Sequence, residues 1–153
     1  MKKSQSSENF SNKTASTPGD ENYIEFEERV RYSETDQMGV AHNKSYFEWF
    51  EIARTEYCRR KNIPYKSIEE QGYYLVVVEA FCKYKKPLRY DENFLIRVFL
   101  KNITPKKIVF TYELFTKDKK KLVASGHTVH IVTNARAKVC ALSPHIINTL
   151  KAS

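Results

Sequence analysis

The sequence predicts an α+β domain in which a five-stranded antiparallel sheet is wrapped around one long central helix. The chain has 153 residues, a length typical of one domain. One long segment has helical periodicity, and the other long segments alternate apolar and polar residues as strands do. Their order is one strand, the helix, then four more strands. A sheet that curls around the helix is the one compact arrangement of these elements.

The long helix is predicted over residues 44–61. Its apolar face is formed by Tyr46, Phe50, Ala53 and Tyr57. This spacing of four, three and four residues places all four side chains on one side of a helix. The basic residues 59–61 suit the negative end of the helix dipole and predict the C-terminus there.

Strands are predicted over residues 23–34, 73–86, 93–103, 107–116 and 121–133. The links PLRYDE, TPK and KDKK have the length and polarity of hairpin turns. We therefore expect most consecutive strands to pair. A helical turn is predicted at 66–71, and Ser143 followed by Pro144 predicts a short terminal helix.

Residues 1–22 predict a disordered tail ahead of a folded domain at 23–153, because they are polar and nearly free of large apolar residues. They lack the apolar core of a signal peptide, and no apolar run is long enough to span a bilayer. Cys58, Cys82 and Cys140 lie far apart without metal-binding spacing, and a buried structural role is favoured over a nucleophile. Reduced thiols and a cytoplasmic location are expected. No metal or redox cofactor is predicted.

The net charge of +8 belongs to the folded part, because the charges of residues 1–22 sum to zero. A basic domain attracts nucleic acid, acidic membranes or a phosphorylated cofactor, although a lysine-rich composition has the same effect. The ten Tyr and nine Phe residues fall at core periods. They do not predict the stacking surface of a nucleic-acid binder.

One acidic residue, Asp36, lies in the loop just before the long helix. A loop aspartate is usually a turn former or a helix cap. However, Gly39 permits a tight turn beside it, and the helix N-terminus supplies backbone N–H groups that can polarise a carbonyl. The carboxylate could then attack that carbonyl or activate a water. His42 could orient the substrate or Asp36, or be an exposed loop histidine.

The segment VRYSETDQMGVAHNKSYFEWFEIARTEYCR resembles the signature of the hot-dog-fold acyl-CoA thioesterases of the 4-hydroxybenzoyl-CoA thioesterase family, and within it the YbgC-like group. The matching positions are Tyr32, Glu34-Thr35-Asp36, Gly39-Val40, His42-Asn43, Tyr46, and Phe50-Glu51 through Arg54-Thr55-Glu56. The likeness covers residues 25 to about 145. It implies a hot-dog fold and the hydrolysis of an acyl-CoA thioester.

The resemblance also implies site residues. Asp36 would be the catalytic carboxylate, and the backbone N–H of Asn43 would polarise the thioester carbonyl. Many members have Tyr-His where this chain has His42-Asn43, so the imidazole has moved or been replaced by an amide. Substrate contacts are expected from Gly39, Val40, Tyr46, Lys83, Lys86 and Arg89, with the basic residues and Lys85 meeting the phosphates of coenzyme A. Glu51 is the second candidate for the base, although a helix-surface role is favoured.

Three alternatives remain open from the sequence. The same fold can bind an acyl thioester without cleaving it. The thioester could be carried by acyl carrier protein, and nucleic-acid binding is the third alternative. A homodimer or homotetramer is expected, since the family places its site between subunits.

Overall fold

The computed structural model describes residues 22–152. The strands are β1 (Tyr23–Arg29), β2 (Tyr74–Tyr84), β3 (Asn93–Thr104), β4 (Lys107–Thr116) and β5 (Leu122–Thr133). The helices are α1 (Asn43–Arg60), α2 (Tyr65–Glu70) and α3 (Pro144–Lys151), with a 3₁₀ helix at Tyr32–Glu34. The predicted tail, residues 1–22, lies outside the described residues except for Asn22. The Asn22 carbonyl accepts a hydrogen bond from the Leu100 N–H at 2.9 Å and so extends the pairing of β1 with β3.

All five strands form one antiparallel sheet in the order β1-β3-β4-β5-β2. This confirms the predicted fold class. The prediction that residues 87–92 form a hairpin is wrong, because β2 and β3 are separated by β4 and β5. Instead, this link crosses beside the loop that leads into α1: Val40 pairs with Arg89, and the Ala41 N–H donates to the Leu88 carbonyl at 2.8 Å.

The core lies between α1 and the concave face of the sheet. The four predicted helix-face residues are all buried, and the alternating side chains of β3 and β4 meet them from the sheet. Phe50 stacks on Tyr112 with ring centroids 4.2 Å apart and an interplanar angle of 5°. Gly126 of β5 permits this approach, because a Cβ there would lie 2.7 Å from the Phe50 ring and 2.2 Å from the Phe81 carbonyl oxygen.

The first strand is shorter than predicted. β1 ends at Arg29, and the chain turns through the 3₁₀ helix where residues 30–34 were expected to continue the strand. Val30 is buried but Tyr32 is 77% exposed, so their alternation in sequence does not place both on the core face. The turn is fixed by the Glu34 carboxylate, which accepts the Arg31 N–H at 2.7 Å.

Within residues 22–152, no helix combines the length and the apolar character needed to cross a bilayer. The same residues bring together no group of His, Cys, Asp and Glu side chains that could hold a metal ion. Cys58, Cys82 and Cys140 are all free thiols, and Cys58 lies buried on the core face of α1.

Candidate active site

The loop between the 3₁₀ helix and α1 folds into a small hairpin. Thr35 pairs with Ala41, and the Asp36 N–H donates to the Val40 carbonyl at 2.8 Å. The turn closes with the Gly39 N–H donating to the Asp36 carbonyl at 3.0 Å. Gly39 has φ +76°, which an L side chain rarely adopts, so glycine is needed at this position.

Asp36 is exposed and stabilises this turn directly. Its Oδ1 accepts the N–H of Met38 at 2.8 Å and the N–H of Val40 at 3.2 Å. The turn-forming role weighed from the sequence is therefore real. These two hydrogen bonds occupy Oδ1 and fix the orientation of the Asp36 side chain. The other oxygen, Oδ2, accepts no hydrogen bond from the described residues.

The N-terminus of α1 is capped by His42. Its Nδ1 accepts the Lys44 N–H at 3.1 Å, and its carbonyl accepts the Ser45 N–H at 2.9 Å. The first N–H groups of a helix have no intrahelical acceptor. No acceptor from the described residues is placed on the Asn43 N–H, so this donor is free at the positive end of the helix dipole.

Glu34 joins the loop to α1, a role that the sequence analysis missed. Its carbonyl accepts both the His42 N–H at 2.8 Å and the Ser45 hydroxyl at 2.9 Å. Its buried carboxylate accepts the indole N–H of Trp49 at 3.0 Å and pairs with Arg31 at 3.1 Å. These bonds fix the start of the helix, and with it the Asn43 N–H. The only sequence signal was the position of Glu34 two residues before Asp36.

A cleft of about 240 Å³ opens beside the helix N-terminus. It is lined by Val40, Ala41, Asn43, Tyr46, Tyr84, Lys85, Lys86 and Pro87. The buried Tyr46 ring packs edge-on against Tyr84 with centroids 4.9 Å apart, and burial raises the pKa of Tyr46 to about 12. Tyr84 was not predicted, because nothing in the strand pattern of β2 distinguishes it from its neighbours.

The structure brings together only part of the predicted site. Val40, Asn43, Tyr46 and Lys86 line the cleft. Asp36, Gly39 and His42 border it on the hairpin and the helix cap but are not part of its lining. Lys83 precedes the cleft residue Tyr84 on β2, so its side chain leaves the opposite face of the sheet. Arg89 is exposed on the crossing link, where its backbone pairs with Val40.

Glu51, the second candidate base, lies away from this cleft. It is exposed on α1, eight residues after Asn43, which is roughly 12 Å along the helix axis. There it lines a separate cleft with Arg54. Glu51 and Asn43 therefore line two different clefts.

An antiparallel sheet around a buried helix, with the helix N-terminus opening onto a cleft, defines the hot-dog class of proteins. The sequence places the chain more closely. Residues 30–150 match the model of the thioesterase-like superfamily, and the chain belongs to this family. The resemblance stated from the signature segment is confirmed.

Individual relatives agree with this assignment. The acyl-CoA thioester hydrolase YbgC of Escherichia coli O6:H1 (strain CFT073) is 27% identical, over 80% of this chain and 92% of that protein. The crystal structure of protein AQ1494 from Aquifex aeolicus has a TM-score of 0.78 at 33% identity and covers 84% of this chain and 99% of that chain. A DHNA-CoA thioesterase from Staphylococcus aureus has a TM-score of 0.74 at 30% identity, covering 78% of this chain and 80% of that chain.

Proposed function

We propose that this protein hydrolyses an acyl-CoA thioester to a free acid and coenzyme A. The observation that carries the proposal is that a free backbone donor, the Asn43 N–H, and a carboxylate in a fixed orientation, Asp36, lie on adjoining segments of the chain. Asn43, whose N–H donates to no acceptor among the described residues, lines the cleft, and Asp36 is held by two backbone hydrogen bonds on the adjoining hairpin. An oxyanion donor and a carboxylate that acts as nucleophile or base are together sufficient to hydrolyse a thioester.

The Asn43 N–H would donate a hydrogen bond to the thioester carbonyl oxygen and stabilise the negative charge that develops on it. Asp36 then acts in one of two ways. Its oxygen can bond to the thioester carbon and expel the coenzyme A thiolate, leaving an anhydride that water hydrolyses. Alternatively, it removes a proton from water, the resulting hydroxide adds to the carbon, and the thiolate leaves and takes up a proton. Both routes consume one water and give the same acid and thiol.

His42 has a supporting role in this scheme. Because Nδ1 accepts the Lys44 N–H, the neutral ring carries its proton on Nε2. That Nε2–H is available as a donor to a substrate or to water near Asp36. Its capping bond also holds the helix start, so His42 positions the Asn43 donor.

The coenzyme A phosphates would be bound by the basic residues at the end of β2. Lys85 and Lys86 line the cleft and are the first candidates. Lys83 and Arg89 lie on the same strand end and the following link, and would reach the nucleotide only from outside the cleft. The location of +8 net charge on the folded part supports a polyanionic substrate.

The site is proposed to be completed by a second copy of the chain. A cleft of about 240 Å³ is smaller than the range of roughly 300–1,000 Å³ usual for ligand pockets. The edge strand β2 exposes a row of large apolar residues, which is typical of an unpaired interface. They are Val76, Val77, Val78, Phe81 and Tyr84. Light scattering at micromolar concentration should show a homodimer or homotetramer, and a monomer would contradict the shared site.

The substrate class is tested by measuring thiol release from short-chain, long-chain and aromatic acyl-CoAs, and from an acyl carrier protein thioester. Turnover of one acyl-CoA group supports the proposal. If only the carrier-protein thioester is hydrolysed, the substrate is acyl carrier protein and not acyl-CoA, but the reaction is still thioester hydrolysis. Binding of acyl-CoA without any thiol release would instead favour a binding module. We also propose a cytoplasmic location, which the three free thiols support.

A further inference from the structure

The turn between β4 and β5, residues 117–121, carries four lysines and one carboxylate. All five residues are exposed. The carboxylate, Asp118, accepts the Thr116 hydroxyl at 2.6 Å and the Lys120 N–H at 2.9 Å. These bonds close the turn without using a lysine ammonium group, so the four ammonium groups are left for other contacts.

The four lysines divide into two pairs. Lys117 and Lys119 form ion pairs of 3.5 Å and 2.9 Å with two glutamates of β1. These glutamates lie on the outer face of the sheet, because the residues that alternate with them pack into the core. Lys120 and Lys121 pair with no carboxylate of the described residues. The partners of Lys117 and Lys119 are Glu27 and Glu25, respectively.

Lys121 leaves the sheet on the inner face, which α1 covers. It lies across from Thr116, whose N–H donates to the Lys121 carbonyl at 3.0 Å. On its other side Thr116 pairs with Phe94, which is fully buried in the core. Residues opposite one another on neighbouring strands share a face of the sheet. The Lys121 side chain therefore starts on the face where the cleft beside Asn43 opens.

Backbone hydrogen bonds also bring Lys121 close to the mouth of that cleft. The Val123 carbonyl accepts the N–H groups of Lys85 and Lys86, at 2.8 Å and 3.1 Å, and both lysines line the cleft. Lys121 is two residues before Val123, about 7 Å along β5, and neighbouring strands lie about 5 Å apart. Lysine ammonium groups that are this close repel one another, and an anion bound among them removes the repulsion.

The order of the phosphates along coenzyme A indicates which of them reaches the turn. The diphosphate follows the pantetheine arm, and the 3′-phosphate lies beyond it on the ribose. Lys85 and Lys86 line the cleft itself, whereas Lys120 and Lys121 lie outside its lining. With the thioester at Asn43, the turn meets the phosphate that is farther from the thioester. That phosphate is a monoester with a charge of about −1.5 to −2 at pH 7.

We propose that Lys120 and Lys121 bind the ribose 3′-phosphate of coenzyme A and that the protein thereby selects coenzyme A over carriers without this phosphate. This inference rests on the proposed acyl-CoA thioesterase function. The two ammonium groups donate hydrogen bonds to the phosphate oxygens, while Lys85 and Lys86 meet the diphosphate at the cleft. A phosphopantetheine thioester on acyl carrier protein has no 3′-phosphate and gains nothing from this site.

The test is calorimetric binding of coenzyme A and of 3′-dephospho-coenzyme A at low ionic strength, about 0.01 M salt. The wild type should bind coenzyme A on the order of fivefold tighter, as expected when two exposed ammonium groups meet one phosphate. The preference should shrink at about 1 M salt, where exposed charges are screened over about 3 Å. The double variant Lys120→Gln, Lys121→Gln should bind the two compounds equally.

The matched control is the double variant Lys117→Gln, Lys119→Gln. It removes the same charge from the same turn and should keep the preference, because these two lysines face the glutamates of β1. Equal binding of the two compounds by the wild type overturns the inference. So does a preference that survives in Lys120→Gln, Lys121→Gln, an equal loss in the control, or a failure of coenzyme A to bind.

Thiol release from the acyl-CoA panel separates this inference from the proposed function. A wild type that releases thiol but binds coenzyme A and its dephospho form equally keeps the function and loses the phosphate site. A wild type that prefers coenzyme A but releases no thiol from any acyl-CoA keeps the phosphate site and loses the hydrolase activity.

Discussion

Two polar regions along α1 differ in how completely their hydrogen bonds are formed. At the helix start, both the carbonyl and the carboxylate of Glu34 are fully used, and Asp36 Oδ1 accepts two backbone N–H groups. Around Arg54, Nε has no acceptor among the described residues, although the guanidinium lies within hydrogen-bond reach of the Tyr65 and Tyr112 hydroxyls. The first region is fixed before any substrate binds, as catalytic groups must be. The second is a buried polar cluster in the core, where α1, α2 and β5 meet.

The largest expected effect at the helix start comes from Asn43→Pro. Proline lacks the backbone N–H and is favoured at the first position of a helix, and His42 is already extended at φ −70° and ψ 147° as the residue before a proline requires. The change therefore deletes the proposed oxyanion donor with little disturbance of the fold. We expect kcat to fall about 10²–10³-fold, as when other oxyanion donors are removed.

The control is Asn43→Ala, which keeps the N–H and removes only the side-chain amide. It should retain most of the activity. Equal losses in the two variants would show that the amide side chain, and not the backbone donor, matters.

The next expected effect is a pH dependence of the unfolding free energy, caused by His130 beside Arg54. Burial, and then the charge of Arg54, lowers the pKa of His130 from 6.5 to about 4. The unfolded chain therefore binds a proton that the folded chain does not between pH 6.5 and 4. The stabilisation is fully present above pH 6.5 and is lost as pH falls to 4, for a total of about 3 kcal/mol.

Urea unfolding at a series of pH values checks this expectation. His130→Gln should flatten the fall of the unfolding free energy below pH 6.5 relative to the wild type. His145→Gln, at an exposed position on α3, should leave the slope unchanged. Identical slopes in wild type and His130→Gln would mean that His130 is not held neutral.

The smallest effect is Glu34→Gln, which keeps the volume and removes the charge that Arg31 and Trp49 share. Hydrogen bonds to this buried, charged carboxylate predict that its neutralisation costs about 1–3 kcal/mol in unfolding free energy. Glu56→Gln is the matched control, because Glu56 pairs with two exposed arginines on the helix surface. That variant should lose less than about 1 kcal/mol. Similar losses from both would contradict a distinct role for the helix-start region.

The sequence predicts the fold well where one periodicity dominates. The long helix, predicted at 44–61, spans Asn43–Arg60, and the last three strands differ from prediction by one residue at an end or not at all. Residues 30–34 were misassigned because their alternation continues past the point where the Glu34 carboxylate turns the chain. The hairpin expected at 87–92 failed because link length and polarity do not reveal which strands are neighbours.

The candidate site was predicted only in part for a similar reason. Asp36 was singled out from its position ahead of the helix, and Asn43 from the family resemblance. Tyr84 enters the cleft through the sheet topology, and Arg54, Tyr65 and His130 meet only after α1, α2 and β5 pack together. No local pattern connects residues so far apart in the chain.

The most direct test of the central claim is kcat for thiol release by Asp36→Asn beside Asp118→Asn. Both aspartates are exposed and hold a turn by accepting a backbone N–H two residues on, at 2.8 Å from Met38 and 2.9 Å from Lys120. Asparagine preserves that bond in both, so only the loss of the carboxylate's chemistry separates them. We predict that Asp36→Asn loses on the order of a hundredfold or more while Asp118→Asn stays near wild type. Near-wild-type activity in Asp36→Asn would show that Asp36 is a turn residue and that the carboxylate mechanism is wrong.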